Sequence, residues 1–299
     1  MGLSPYIHFG TSTWTYEGWQ GLVYKKPYRK NRFKQDCLAE YAQYRYRGER
    51  LFRTVGFDFT FYGPPTPAQL QHYAAQLPSG FPVCSKVWEE VTVPAFASGL
   101  RYRSKSGPNP HFLDADYFIE QVLPPYQQAF QEHTGPFILE FQRSGIEPET
   151  FLPRLDRFLS RLPKQYHYAV EVRNAQVLGK EYAAILHRHG VAHVFNHLTA
   201  LPGLWQQYER LGGEFPGPFI LLRLLTPRDL SYGAAVKAYQ PYNRIVCELP
   251  EMRADTVRLV RQAVSRRQPA YVLVNNRAEG SAPLTVQAIA DELAKGEHG

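Results

Sequence analysis

Eight short apolar runs recur along the chain, and helical patterns separate most of them. Each run is rich in β-branched or aromatic residues and is bounded by Gly, Pro or Asn, which is typical of a buried strand. The runs begin at Ile7, Thr54, Pro82, Phe137, His167, Ala192, Phe219 and Tyr271. Strand followed by helix, repeated over 299 residues, predicts an α/β fold: a single-domain TIM-type (β/α)8 barrel spanning residues 1–299.

The helical patterns have a period near 3.6 residues and lie after the predicted strands. They cover residues 36–47, 67–76, 114–133, 149–161, 180–189, 251–267 and 283–295, with a weaker one at 205–210. A doubly wound open sheet is the alternative architecture. It is disfavoured because the first strand is followed by "GTSTW" and not by a Gly-rich GxGxxG turn.

Three long insertions interrupt the strand and helix alternation, at about 20–35, 91–112 and 226–243. They follow the first, third and seventh predicted strands, so in a barrel they would cover the C-terminal mouth. The second insertion carries Arg101, Arg103 and Lys105. We expect these three cations to lie near the mouth and to raise its positive potential.

Polar residues come late in each predicted strand, as in "HYAVEVRN" at 167–174, where Ala169, Glu171 and Arg173 share one face. In a barrel the strand starts pack the core and the strand ends meet solvent, so a ring of polar groups should surround the mouth. A self-satisfied ionic network that only closes the barrel is the alternative reading. The ring comprises Ser12, Trp14, Asp58, Thr60, Tyr62, Lys86, Glu140, Gln142, Glu171, Arg173, Asn196 or His197, Arg223, and Asn275 or Asn276.

Five ordered segments resemble the motifs of the domain of unknown function 72 family, also called YecE-like. They are "FGTSTWTYEGWQGLVY" at 9–24, "TVGFDFTFYGPP" at 54–65, "FPVCSKVWEEVT" at 81–92, "AVEVRN" at 169–174 and "VNNRAEGSAP" at 274–283. The resemblance implies a TIM-type barrel with a pocket at its C-terminal mouth, and no particular reaction. Its motif positions fall on Ser12, Trp14, Tyr16, Trp19, Thr60, Phe61, Tyr62, Lys86, Gln142, Glu171, Arg173, Asn275 and Asn276.

The chain departs from the family pattern in the second segment. After "TV" the family usually has a glutamate and, two residues on, an asparagine, but here these positions are Gly56 and Asp58. If the family glutamate is catalytic, this chain either uses Asp58 in its place or has lost the activity.

The predicted mouth offers groups for acid–base chemistry and for anion binding. Glu171, Asp58 and Glu140 are the candidate acids and bases, and Lys86 is a candidate Schiff-base amine or anion ligand. Forked guanidinium groups suit a phosphate or carboxylate, and aromatic faces suit a sugar ring or a nucleobase. The candidate ligand-binding residues are Ser12, Trp14, Tyr16, Thr60, Tyr62, Gln142, Arg173, Asn196, Arg223, Asn275 and Asn276.

No metal or cofactor is expected. Three widely spaced cysteines lack zinc spacing, and His193 and His197 lie i, i+4 on a segment predicted as strand and loop. Without a predicted disulfide framework or an apolar stretch of about 20 residues, a reducing, cytoplasmic location away from membranes is expected.

The net charge of +7 is by itself typical of a solvated cationic face that aids solubility, but the groups at the predicted mouth and the basic loops leave two functional classes. The first is an enzyme, a hydrolase, lyase or isomerase, that acts on a polar anionic small molecule. The second is a noncatalytic or nucleic-acid-binding barrel that grips phosphates with basic loops at 24–34 and 101–105 and stacks bases on aromatic rings. Both classes, and any oligomeric state, stay open on the sequence alone.

Overall fold

Eight parallel strands form a nearly closed barrel, as predicted, in the computed structural model, which describes residues 2–96 and 106–295. Their order around the sheet is β1-β8-β7-β6-β5-β4-β3-β2, so neighbours in sequence are neighbours in space. The strands are β1 (Ile7–Thr11), β2 (Val55–Phe57), β3 (Val83–Lys86), β4 (Thr134–Phe141), β5 (Tyr168–Val172), β6 (Ala192–His197), β7 (Ile220–Leu224) and β8 (Ala270–Val274).

The barrel closes where β2, the last strand in the sheet order, approaches β1, the first. The backbone N–H groups of Arg53 and Thr54 donate hydrogen bonds of 2.8 and 3.2 Å to the carbonyl oxygen of Phe9. A Cβ at Gly10 would lie only 2.3 Å from the carbonyl oxygen of Thr54. Residue 10 therefore has to be glycine for the two strands to come this close.

Helices pack around the barrel, and several begin and end within two residues of the sequence prediction. The helix Lys180–His189 has the predicted bounds, and Gly190 ends it in the left-handed conformation with φ 64°. The other helices are Phe33–Asp36, Leu38–Ala42, Pro67–Ala74, Glu89–Thr92, Ala115–Tyr117, Pro124–Ala129, Pro148–Arg161, Leu204–Arg210, Tyr232–Tyr239, Pro250–Ser265 and Ala282–Lys295.

Two of the predicted helices are broken. In the segment predicted as a helix at 36–47, the helix ends at Ala42. A hairpin follows, which pairs Arg45–Tyr46 with Glu49–Arg50. Its turn is made by Arg47 and Gly48, both with positive φ. The pattern at 114–133 is divided into α-, π- and 3-10-helical pieces, and one of them begins at Pro124, which cannot donate the backbone hydrogen bond a continuous helix needs.

The second strand is shorter than predicted. It ends at Phe57, and residues Asp58–Tyr62 form a 3-10 helix. The hydroxyl of Thr60 stabilises this turn by bonding the carbonyl oxygens of Phe57 and Lys86, each at 2.6 Å. The prediction that Asp58, Thr60 and Tyr62 share one strand face is therefore wrong.

The barrel interior is apolar at the strand starts. Inward side chains from β3 to β8 form one cluster, whose members are Cys84, Ile138, Ala169, Ala192, Val194, Phe219, Leu221, Tyr271 and Leu273. A larger apolar core lies between the strands and the surrounding helices. The residues at the strand ends lie directly beyond this apolar interior.

The loops that follow the strands lie at the C-terminal end of the barrel. The insertion after β3 forms the helix Glu89–Thr92 and a short hairpin that pairs Ala95–Phe96 with Gly107–Pro108. The predicted positions of Arg101, Arg103 and Lys105 lie outside the described residues. The region 226–243, predicted as a loop, contains the helix Tyr232–Tyr239.

No helix within residues 2–96 and 106–295 is both long and apolar enough to cross a membrane.

Candidate functional site

A layer of polar side chains lies directly above the apolar barrel interior. Each of its members comes two residues after an inward apolar residue, as Glu140 follows Ile138 and Arg223 follows Leu221. Because strand side chains alternate with period two, these residues also point inward. We call this set the polar layer: Lys86, Glu140, Glu171, Asn196, Arg223 and Asn275.

The guanidinium of Arg223 is the centre of the polar layer and is 1% exposed. It donates to Glu171 at 2.5 Å and to Glu140 at 3.1 Å through Nη1, and to both oxygens of Asp58 at 2.7 and 2.8 Å through Nη2. The three carboxylates come from β4, β5 and the 3-10 helix after β2. Their charges raise the pKa of Arg223 even though burial opposes this, so the group stays charged.

Glu140 accepts contacts from three cations and one amide. Lys86 Nζ lies 2.6 Å away, Arg173 Nη2 2.8 Å and Arg223 Nη1 3.1 Å, while Gln142 Nε2 donates at 2.5 Å. Burial raises the pKa of this carboxyl, but the three cations outweigh burial and hold the pKa well below its usual range. Glu140 is therefore ionised at neutral pH and is a weak proton acceptor.

Glu171 lies beside Glu140, because these two residues are register partners on β4 and β5. Its carboxylate is fully buried and accepts from Asn196 Nδ2 at 2.6 Å and from Arg173 at 3.3 Å, in addition to Arg223. Two adjacent like charges are costly in a buried layer. The two arginines make the arrangement possible by contacting both carboxylates.

A cavity of about 950 Å³ opens above the polar layer, and we call it the mouth cavity. Nine predicted site residues line it: Tyr16, Asp58, Tyr62, Lys86, Glu140, Gln142, Arg173, Arg223 and Asn275. Its size is within the range of small-molecule sites. Most of the side chains predicted from the strand-end pattern therefore lie at one cavity.

Six predicted site residues do not line the mouth cavity. Glu171 and Asn196 lie beneath it in the polar layer, and Thr60 bonds backbone carbonyls. Ser12 is also fully buried. Asn276 accepts from the indole N–H of Trp19 at 3.1 Å and from the backbone of Ala282, which places it under the next helix.

Trp14 is the clearest correction among the predicted aromatic faces. It is 1% exposed and packs against Phe57 and Tyr73 with ring centroids 5.1 and 5.2 Å away. Because its ring is enclosed by the core, it offers no face to a ligand. Tyr16 does line the mouth cavity, and burial raises its pKa to about 12, although the nearby Arg277 lowers it. Its phenol therefore stays protonated at neutral pH.

Two arginines that line the mouth cavity were missed by the sequence analysis. Arg143 is exposed and follows Gln142, and Arg277 is half-buried and follows Asn275 and Asn276. The guanidinium of Arg277 lies 4.4 Å from the ring centroid of Tyr232, which also lines the cavity. Both arginines come directly after residues that were predicted, so extending each strand end by one or two positions would have found them.

Other cavity-lining residues come from loops, from the 3-10 helix Asp58–Tyr62 and from the start of the helix Tyr232–Tyr239. They are Thr13, Phe59, Phe61, Leu198, Thr199, Ala200, Leu225, Thr226, Ser231 and Tyr232. Within residues 2–96 and 106–295, no group of three or more His, Cys, Asp or Glu side chains is arranged to hold a metal ion. His193 instead bonds Tyr182 and Gln207 on the outer side of β6.

The family model described as protein of unknown function DUF72 matches residues 8–299. The chain belongs to the DUF72 family. The match covers all five motif segments and both halves of the barrel, so the resemblance inferred from the motifs is confirmed.

Solved structures of DUF72 proteins have the same fold. A DUF72 protein from Thermotoga maritima is 20% identical and superposes with a TM-score of 0.64 over 96% of this chain and 99% of that chain. Two structures of a DUF72 protein from Enterococcus faecalis are 14% and 17% identical, with TM-scores of 0.61 and 0.65, and cover 96% of this chain and 97% and 95% of theirs. At these identities the likeness establishes the fold. None of the curated proteins matches this chain.

Proposed function

We propose that this DUF72 protein binds a polar anionic small molecule in the mouth cavity. The observation that carries the proposal is the charge of the lining: among the residues that the structure describes, five cations face two carboxylates. Glu171, which is buried beneath the lining, pairs with Arg223 and so neutralises a third cation. The five cations therefore exceed the three carboxylates by two positive charges. A concave site with low-dielectric walls focuses such a potential and attracts anions. The lining cations are Lys86, Arg143, Arg173, Arg223 and Arg277.

The anion is expected on the side of the mouth formed by β4 and β5. Arg173 has a side chain that is 23% exposed, whereas those of Lys86 and Arg223 are 9% and 2% exposed. Arg143 follows β4 on the same side and is exposed. Asp58, which follows β2, has a carboxylate that is 30% exposed and would repel an anion placed next to it. Forked donors from two arginines suit a phosphate or a carboxylate.

The carboxylates of the polar layer serve mainly to position these cations. Glu140 is held ionised by three cations, and Lys86 Nζ is engaged by its carboxylate at 2.6 Å. If the bound molecule is also turned over, the proposal assigns proton transfer to Asp58, the acidic side chain that is partly open to the cavity.

Calorimetric titration with inorganic phosphate and glucose 6-phosphate tests the proposal. Arg143→Gln and Arg173→Gln should each weaken binding by roughly 10- to 100-fold, because a charge-assisted hydrogen bond contributes about 1.5 to 3 kcal/mol. Arg157→Gln is the matched control, since Arg157 is an exposed arginine on the outer helix Pro148–Arg161. Melting temperatures of all variants separate lost binding from lost folding.

The proposal is rejected if neither phosphate compound binds, or if the control variant weakens binding as much as the two cavity variants. Nucleic acid is the alternative partner. Binding of a single-stranded oligonucleotide that falls steeply with salt and is unaffected by Arg143→Gln and Arg173→Gln would favour that partner instead.

A further inference from the structure

The charges around the mouth cavity also bear on how many anionic groups the ligand carries, which rests on the proposed anion-binding function. The polar layer and its immediate contacts are internally neutral. Lys86, Arg173 and Arg223 pair with Asp58, Glu140 and Glu171 at distances of 2.5 to 3.3 Å. Among the described residues, the cavity lining therefore has two cations in addition to this neutral set.

These two cations are Arg143 and Arg277. In the part of the chain that the structure describes, no salt bridge joins either of them to a carboxylate. An arginine that lines a cavity without an acidic partner presents its donors to whatever enters the cavity. Both side chains are thus available for ligand contacts.

The two arginines lie on opposite sides of the mouth. Arg143 follows β4, and Arg277 follows β8, which is four strands away in either direction around the barrel. Eight strands spaced about 4.8 Å apart and tilted about 36° make a barrel about 15 Å across between opposite strands. Inward-pointing arginine side chains can span much of this width, but Arg277 is held against Tyr232 and Arg143 is exposed at its own rim. In these positions one phosphate group is not expected to contact both.

Arg277 is held in position before any ligand arrives. Its guanidinium lies 4.4 Å from the ring centroid of Tyr232, and its backbone N–H donates to Asn275 Oδ1 at 3.0 Å. Its buried Nε has no hydrogen-bond partner among the described residues. Tyr16 lies close enough to Arg277 for the charge of the guanidinium to lower the pKa of its phenol, against the larger effect of burial. A pre-positioned donor group of this kind favours binding because little side-chain entropy is lost.

We propose that Arg277 forms a second anion subsite across the mouth from Arg143 and Arg173, so that the ligand carries two separated anionic groups. Sugar bisphosphates and other elongated bis-anions belong to this class. In this arrangement one anionic group lies against the β4 and β5 side, the second lies against Arg277, and the polar layer between them contacts the middle of the ligand.

The test compares hexane-1,6-bisphosphonate with hexylphosphonate, which have the same carbon chain and two or one anionic groups. The intact protein should bind the bisphosphonate at least 10-fold more tightly. Arg277→Gln should remove this preference and leave hexylphosphonate binding within twofold, whereas Arg277→Lys, which keeps the charge, should retain most of the preference. Arg157→Gln is again the charge-matched control and should change nothing.

The outcomes separate the two proposals. Equal affinity of the intact protein for both compounds, or an equal loss of both in Arg277→Gln, overturns the second subsite and leaves the first anion site standing. If neither compound binds the intact protein, the anion-binding function fails, and the second subsite fails with it. A preference that survives Arg277→Gln and is lost in Arg143→Gln would place both anionic groups on one side and also overturn the inference.

Discussion

Glu171 is a fully buried carboxylate whose charge is balanced by Arg223 at 2.5 Å and by Arg173 at 3.3 Å. Replacing it by glutamine keeps the shape but leaves these guanidinium groups with fewer acidic partners. Removing one member of a buried ion pair costs about 3 to 5 kcal/mol. We therefore predict that Glu171→Gln lowers the free energy of unfolding by about that amount in denaturant titrations.

Glu181→Gln provides the control, because Glu181 is exposed in the first turn of the helix Lys180–His189. It should change the free energy of unfolding by less than about 0.5 kcal/mol. A Glu171→Gln protein as stable as the unmodified one, yet unable to bind phosphate, would show that Glu171 acts on the ligand and not on the barrel.

The sequence predicted the inward polar residues correctly where a strand is regular. Glu140, Glu171 and Arg223 each come two residues after an apolar inward residue, and period two alone places them. Trp14 was misplaced because it follows the end of β1, beyond the reach of that periodicity. Its burial depends on contacts with Phe57 and Tyr73, which come from distant parts of the chain.

At the scale of secondary structure, the ends of β1 and β2 are close because Gly56 has no side chain. A Cβ at this position would lie 2.9 Å from the carbonyl oxygen of Ser12 and 3.1 Å from its Cα. The backbone of β1 would have to move by a few tenths of an ångström. We predict that Gly56→Ala lowers the free energy of unfolding by about 1 to 3 kcal/mol, the usual cost of overpacking a rigid site.

Gly233→Ala is the matched control in the same assay. Gly233 lies in the helix Tyr232–Tyr239, and a Cβ there would meet no atom within 4 Å. In a helix, alanine is more favourable than glycine by about 1 kcal/mol, so this variant should be unchanged or slightly more stable. If Gly56→Ala behaves like Gly233→Ala, the close contact of β1 and β2 is not a constraint on residue 56.

Element boundaries could be predicted where local pattern and tertiary packing agree. The amphipathic pattern and the terminal glycine gave the bounds of Lys180–His189, since both signals lie within the segment. The strand at 54–61 was predicted too long because the Thr60 hydroxyl bonds the carbonyl oxygens of nearby Phe57 and of distant Lys86, which favours a 3-10 turn after Phe57. The helix Tyr232–Tyr239 was missed although Ser231 caps it, because its region was interpreted as an insertion.

At the scale of the whole molecule, stability should depend on pH through groups that are buried in the fold. Burial lowers the pKa of His193 from 6.5 to about 4, although its bond to Gln207 opposes the shift, and burial also lowers the pKa of His8 and His197. These histidines are neutral in the folded barrel and become protonated more readily when the chain unfolds. Glu140, whose pKa is held well below 4.5, acts in the same direction at lower pH.

A group whose pKa is lower in the folded than in the unfolded state contributes its full stabilisation above the unfolded pKa. That contribution decreases as the pH falls toward the folded pKa. For His193 that interval runs from 6.5 to about 4. The loss is roughly 3 kcal/mol over the interval, at 1.36 kcal/mol per pH unit. The contribution of His193 to the free energy of unfolding should therefore be nearly constant above pH 7 and should decrease below 6.5.

His193→Gln should flatten the pH dependence between 6.5 and 4, whatever its effect on stability at neutral pH. The reason is that glutamine can keep a bond to Gln207 or Tyr182 but takes up no proton when the chain unfolds. Denaturant titrations at half-unit pH intervals measure the slope. His187→Gln, which removes an exposed histidine, should leave the slope unchanged. An equally steep slope in His193→Gln and the unmodified protein would assign the acid sensitivity to other groups, with His8 and His197 the next to be replaced.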